Sequence, residues 1–245
     1  MAGIGLPENE HAPMATCLAR NFPPQPRLHQ LLVDISGLIH PQGQDADSRQ
    51  DTQILHAILK TWIDQPPERF RVEPVYADSR ILGYRYARQY ILQRLGVPGD
   101  WSKDEPVEAW SGDVFIGLCS PAVFAPEQQA YLQGWHDDGV RIWFFINDLS
   151  LVLAPENSPS YVYEASRRWL DGMSQFDGVI CVSRAAADDV RSWLSLHGSK
   201  RERPLLVEHF KMEKDDAPGA SISSNEVMQI ARQLLGAVGV LKSNA

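Results

Sequence analysis

Residues 140–146, Val-Arg-Ile-Trp-Phe-Phe-Ile, carry one charge among apolar side chains and stop at Asn147-Asp148. A run this apolar suits a strand buried on both faces, as found in parallel sheets covered by helices on either side. In open sheets of that kind the ligand crevice lies outside the carboxyl ends of the strands, so a polar pair at such an end is a candidate site. The competing reading of Asp148 is local, because an Asp after a strand also serves as the N-cap of the turn or helix that follows.

The remaining sequence supplies neighbours for that strand. Residues 31–36 (Leu-Leu-Val-Asp-Ile-Ser) read as a first buried strand. Ile54, Leu55, Ile58, Leu59 and Trp62 then recur at helical spacing, and Pro66-Pro67 stops the helix. Residues 70–77 read as a second strand and residues 84–95 as a second helix, ended by Gly96 with Pro98 beyond it. Residues 113–118 give a third strand, followed by a helix with Pro126 in its first turn and Gly139 at its end. After the strand at 140–146, residues 161–175 are helical and residues 178–182 form a fifth strand. Ser183 then caps a helix with Val190, Trp193 and Leu194 on one face, and residues 205–207 offer a short sixth strand. Strands separated by single helices predict an α/β fold: a Rossmann-like, mainly parallel sheet of about six strands with helices on both faces. Residues 1–29, proline-rich and aperiodic, read as a flexible N-terminal arm, residues 30–216 as the domain, and residues 217–245 as a linker and C-terminal helix. On that last helix Val227, Ile230, Ala231, Leu234 and Leu235 form an apolar stripe that must be buried.

Composition narrows the function classes. A net charge of -8 argues against general binding to nucleic acid or anionic membranes, which needs clustered cations. Cys17, Cys119 and Cys181 are far apart and odd in number, so they suggest neither a disulfide framework nor a CxxC metal site, and they fit a reducing compartment. No apolar run approaches the ~20 residues of a membrane span, and no signal-peptide core stands in the first 30 residues. The expected location is the cytoplasm, with peripheral contact at the inner face of the membrane left open. GxGxxG after a strand, GxxxxGK[ST] and GxSxG are all absent, which removes the working parts of nicotinamide dehydrogenases, P-loop NTPases and α/β-hydrolases. His136-Asp137-Asp138 reads as a solvated helix end, no HxxxH or HExxH occurs, and neither a metal nor a cofactor is called for.

Parallel strands gather the groups at their carboxyl ends onto one edge: Asp34 and Ser36, Cys119 and Ser120, Asn147 and Asp148, Ser183 and Arg184. Such a set can hydrogen-bond sugar hydroxyls, and an arginine near a helix N-terminus can hold a phosphate, although each residue taken alone also reads as turn or cap chemistry. Arg80, Arg85, Arg88 and Arg94 accompany Tyr84, Tyr86 and Tyr90 on the presumed second helix. That pattern suits phosphates, sugars or headgroups, or an amphipathic helix whose arginine stems cover the sheet.

Several segments together resemble one family: Leu32-Val-Asp-Ile-Ser-Gly-Leu38, Tyr84-Arg-Tyr-Ala-Arg88, Gly112-Asp-Val-Phe-Ile-Gly-Leu118, Gly139-Val-Arg-Ile-Trp-Phe144, Asn147-Asp-Leu149 with Pro155-Glu156, and Phe176-Asp-Gly-Val-Ile-Cys-Val-Ser-Arg184. In order and spacing they are similar to the N-terminal, acceptor-side half of a bacterial family 4-type glycosyltransferase with the GT-B fold. The subgroup is the mannosyl and rhamnosyl transferases that build O-antigen and related polysaccharides. The resemblance covers residues 30–216 and implies a hexosyltransferase in which two Rossmann-like halves enclose a cleft. One half holds a glycan acceptor and the other a nucleotide-sugar donor. It implies that Asp148 orients an acceptor hydroxyl, that Asp34 and Ser36 line the first-strand loop, and that Asn147, Ser183, Arg184, Arg85 and Arg88 contribute to substrate binding. The donor half is expected from a partner domain or protein, and the cleft wall is expected to be covered by a partner, by a second copy in a homo-oligomer or by the terminal helix. The chain departs from the family where residues 47–54 lack the glycine of the usual first loop, where Cys119 replaces an Asp, and where Asn147 replaces a His or Tyr. These departures keep open a non-catalytic module that binds a glycan or a protein.

Overall fold

The computed structural model of the protein describes residues 13, 16, 28–39, 46–78, 81–95, 104–118, 126–146, 160–197, 205–209 and 224–240. Within them one sheet contains β1 (His29–Asp34), β2 (Phe70–Asp78), β3 (Ile81–Tyr86), β4 (Val114–Gly117), β5 (Arg141–Ile146), β6 (Gly178–Cys181) and β7 (Leu206–His209). Their spatial order is β3-β2-β1-β4-β5-β6-β7, and each adjacent pair is parallel except β2 with β3. The helices are α1 (Ser36–Ile39), α2 (Ala46–Asp64), α3 (Arg88–Tyr90) running into a π-helical turn (Ile91–Leu95), α4 (Pro126–Asp137), α5 (Ser160–Met173), α6 (Arg184–His197) and α7 (Ser224–Ala237). The Rossmann-like α/β sheet expected from the alternation is present, with seven strands instead of six.

Period-two alternation sorts the strand residues onto two covered faces. Leu32, Phe115, Ile142, Phe144 and Val179 pack on one face under Leu132 and Trp135 of α4, Trp169, Leu170 and Met173 of α5, and Val190 and Trp193 of α6. Leu31, Val33, Val114, Ile116, Trp143 and Ile180 pack on the other, under Ile58, Leu59 and Trp62 of α2. There the predicted apolar stripe of α7 is also buried, through Val227, Ile230, Ala231, Leu234 and Leu235. Trp62 Nε1 donates to the Ala231 carbonyl at 3.1 Å and ties α7 to α2. Helix α4 ends as its glycine predicts: Gly139 has φ +91°, Val140 N–H donates to Trp135 O (2.9 Å) and Gly139 N–H to His136 O (3.0 Å), a Schellman closure.

The helix expected over residues 84–95 is a correction. Residues 81–86 are β3, antiparallel to β2, and helical turns occupy only residues 88–95. Tyr84 and Tyr86, two residues apart, both enter the first core cluster, so the period that decides this segment is two and not 3.6. Its outer edge is covered in turn, since Tyr86 N–H donates to Glu105 O and Val107 N–H to Tyr84 O, each at 2.9 Å.

The two edges of the sheet are built differently. Asp34 pairs with Val75 and with Gly117, whereas β2 runs on through Tyr76, Ala77 and Asp78 paired only with β3. At a rise of ~3.3 Å per residue the β2–β3 hairpin overhangs β1 by about 10 Å. At the opposite, amino edge, Asp113 is fully buried and its carboxylate accepts from Gln30 N–H (2.7 Å), Gln30 Nε2 (2.9 Å) and Trp110 N–H (2.9 Å). Gln30 Oε1 in turn accepts from Arg71 Nη2 and Tyr86 Oη, both at 2.8 Å.

Candidate functional site

The chain passes from β1 to β2 on one side and returns to β4 on the other side of β1, so the strand order reverses between β1 and β4. Outside that reversal the carboxyl ends of an open sheet leave a crevice. Asp34 closes β1 there and is 6% exposed, and Ser36, which opens α1, is 1% exposed. Asp34 Oδ1 accepts from the Ser36 N–H at 2.9 Å and from Ser36 Oγ at 2.5 Å. The same hydroxyl accepts from the Ala77 N–H at 2.8 Å, which joins the end of β1 to the overhanging part of β2. Both residues therefore sit at the predicted edge, bonded to each other.

Ser183 lies on that edge beyond β6, and its Oγ accepts from the Ala186 N–H at 3.1 Å, the N-cap read from the sequence. Arg184 follows it in the first turn of α6 with its side chain 82% exposed and Nε 3.9 Å from Asp188 Oδ2. Asn147, Asp148, Cys119 and Ser120 lie outside the described residues. Arg85 and Arg88 lie on the β3 side, one on the strand and one just beyond it, rather than on one helix. Arg85 Nη1 donates to the Asp104 carbonyl at 2.6 Å, and Arg88 pairs with Glu105 at 2.7 Å and lies 4.6 Å from the Tyr86 ring centroid. Both arginines thus hold residues 104–105 against the hairpin.

The structure also shows groups that the sequence reading passed over. Tyr90 Oη and His56 Nε2 are 2.8 Å apart, and burial, with Arg94 nearby, holds the imidazole below its ordinary pKa. Burial raises the Glu73 carboxyl against the opposing pull of Arg71 and Arg88. Cys181, at the end of β6, is buried and its thiol is pushed up to about 12, which leaves it protonated at neutral pH. His136, read as part of a solvated helix end, has Nε2 3.4 Å from Asp177 Oδ2, which accepts from the Ile142 N–H at 2.7 Å. Among the described residues no group of three or more His, Cys, Asp and Glu is placed to hold a metal ion, and no helix is long and apolar enough to cross a membrane.

No protein-family model matches the chain. Curated relatives do. A serotype-specific mannosyltransferase WbdA of Escherichia coli is 30% identical over 242 residues, which is 97% of this chain. Over nearly its whole length this chain is similar to part of that mannosyltransferase. Two further WbdA proteins of the same species are 29% identical, over 241 and 242 residues. The glycosyltransferase resemblance carried by the strand-end motifs thus extends over nearly the whole chain. The chain spans 28% of the length of each of these relatives.

Proposed function

We propose that this chain is the acceptor side of a glycosyltransferase that moves a hexose from a nucleotide-sugar onto a polysaccharide or lipid-linked glycan. A second, GT-B-type donor domain, in the same polypeptide or another, holds the nucleotide-sugar. The observation that carries this reading is the similarity to mannosyltransferases along 97% of the chain, which includes the sheet and its switch point. In this reading the acceptor lies across the carboxyl edge. Asp148 orients the attacking hydroxyl and accepts its proton as the new glycosidic bond forms, a role that Asn147 cannot take. Asp34 fixes the acceptor at the switch point, and Ser183 with Arg184 contacts sugar or phosphate at the β6 end. Arg85 and Arg88 shape the flank through residues 104–105. The diphosphate leaving group is stabilised by donors of the other domain. A nucleotide-sugar donor places the work in the cytoplasm, at the inner face of the membrane when the acceptor is lipid-linked.

The test is titration of the purified chain with an α-linked mannotriose, beside turnover assays with UDP-, GDP- and dTDP-sugars. The expected result is glycan binding without turnover, and turnover once a donor domain from a WbdA relative is added. Asp148→Asn is expected to keep the fold, since loss of a turn cap costs only about 1 kcal/mol, while losing glycan binding or transfer. Turnover by the chain alone, abolished by a change at its own crevice, contradicts the division into two halves. Unchanged binding in Asp148→Asn, Asp34→Asn and Arg184→Ala alike removes the site from this edge. Binding with no transfer in the reconstituted pair favours the non-catalytic module.

A further inference from the structure

We propose that Ser36 is a positioning residue that acts on the acceptor through Asp34, an inference that rests on the acceptor-side reading above. Ser36 is 1% exposed as a residue and its hydroxyl is taken up by Asp34 and Ala77, so it acts through Asp34 and not as a sugar contact. Its hydrogen-bond direction is fixed by chemistry. The Ala77 amide can only donate, so it occupies a lone pair of Ser36 Oγ and leaves the hydroxyl proton for Asp34 Oδ1. With the Ser36 amide bonded to the same oxygen, two donors converge on Oδ1 and fix the rotation of the carboxylate about its terminal torsion, which is otherwise broad. Bonds of this kind to a carboxylate are stronger than those between neutral groups. The hydroxyl, bonded to both Asp34 and Ala77, thereby contributes to setting the orientation of Asp34 relative to the β2–β3 overhang.

A merely structural Ser36, pinning β2 to β1 through Ala77, makes a different prediction, and a double-mutant cycle separates the two. Affinity for α-mannotriose is measured by calorimetry on the wild type, Ser36→Ala, Asp34→Asn and the double variant, with thermal unfolding of each recorded alongside. The expected result is a roughly tenfold loss in Ser36→Ala, the size of one charge-assisted bond, and no further loss when Ser36→Ala is added to Asp34→Asn. If Ser36→Ala does not fold, Ser36→Cys, nearly isosteric and a weak donor, goes through the same cycle. An equal loss in both backgrounds reduces Ser36 to a pin and overturns the proposal while leaving the acceptor reading intact. An Asp34→Asn variant that binds like the wild type overturns the role of Asp34 in that reading, and the proposal with it.

Discussion

Asp113 and Asp34 are both buried carboxylates, and their neighbours give them different tasks. Asp113, at the amino edge, accepts from backbone and side-chain N–H groups of Gln30 and from the Trp110 backbone. Asp113→Asn turns an amide N–H₂ toward donors in either orientation, so a loss of about 1–3 kcal/mol is expected in denaturant unfolding. A change within a few tenths contradicts that account. Asp34, at the carboxyl edge, is held through Oδ1 by the amide and the hydroxyl of Ser36. Cys181 gives a chemical readout of burial. With its thiol at about 12, it is expected to resist iodoacetamide in the folded chain at about pH 8 and to react in denaturant, as peptide mapping reports. Fast labelling of folded Cys181 contradicts the placement. Asp34, Ser36 and Ser183 were legible in the sequence because each directly follows or ends an apolar run where caps belong. The pairing of Gln30 with Asp113 was not, because it joins residues 83 apart through the fold.

Among the elements, those with one dominant period were legible. Strands β1, β4, β5 and β6 are apolar runs ended by polar residues, and α6 and α7 show clear stripes that the structure buries. Residues 81–95 misled because Tyr84, Arg88 and Ile91 also fall at helical spacing, while the pairing with β2 that makes Tyr84 and Tyr86 inward strand residues is not local. Helix α4 offers a test of opposite signs within one element. Gly139 has φ +91° and a Cβ there would lie 2.6 Å from Ser111 Oγ, so Gly139→Ala is expected to cost about 1 kcal/mol or more. Gly134, mid-helix, has nothing within 4 Å of such a Cβ. Gly134→Ala is therefore expected to stabilise by about 0.5–1 kcal/mol. Thermal unfolding of the two variants checks both, and shifts of the same sign contradict the assigned roles.

At the scale of the whole molecule, the sheet is closed on one face by α4, α5 and α6 and on the other by α2 and α7. Removing residues 224–245 uncovers Trp62 and the apolar face of the sheet. Each large side chain buried there contributes about 1.5–3 kcal/mol, so the truncated chain is expected to lose several kcal/mol or to self-associate, as unfolding midpoints and light scattering report. An unchanged midpoint and mass contradict a structural role for α7. Fold class was legible from strand-helix alternation alone. The overhang of β2–β3 beside the switch point was not, because it depends on strand register. The most direct test of the account is a backbone amide chemical-shift map of the chain titrated with α-mannotriose. The account predicts shifts at Asp34, Ser36, Ala77 and Ser183 on the carboxyl edge, with Gln30, Asp113 and Asp177 on the amino edge unmoved; shifts confined to the amino edge, or none at saturating glycan, contradict it.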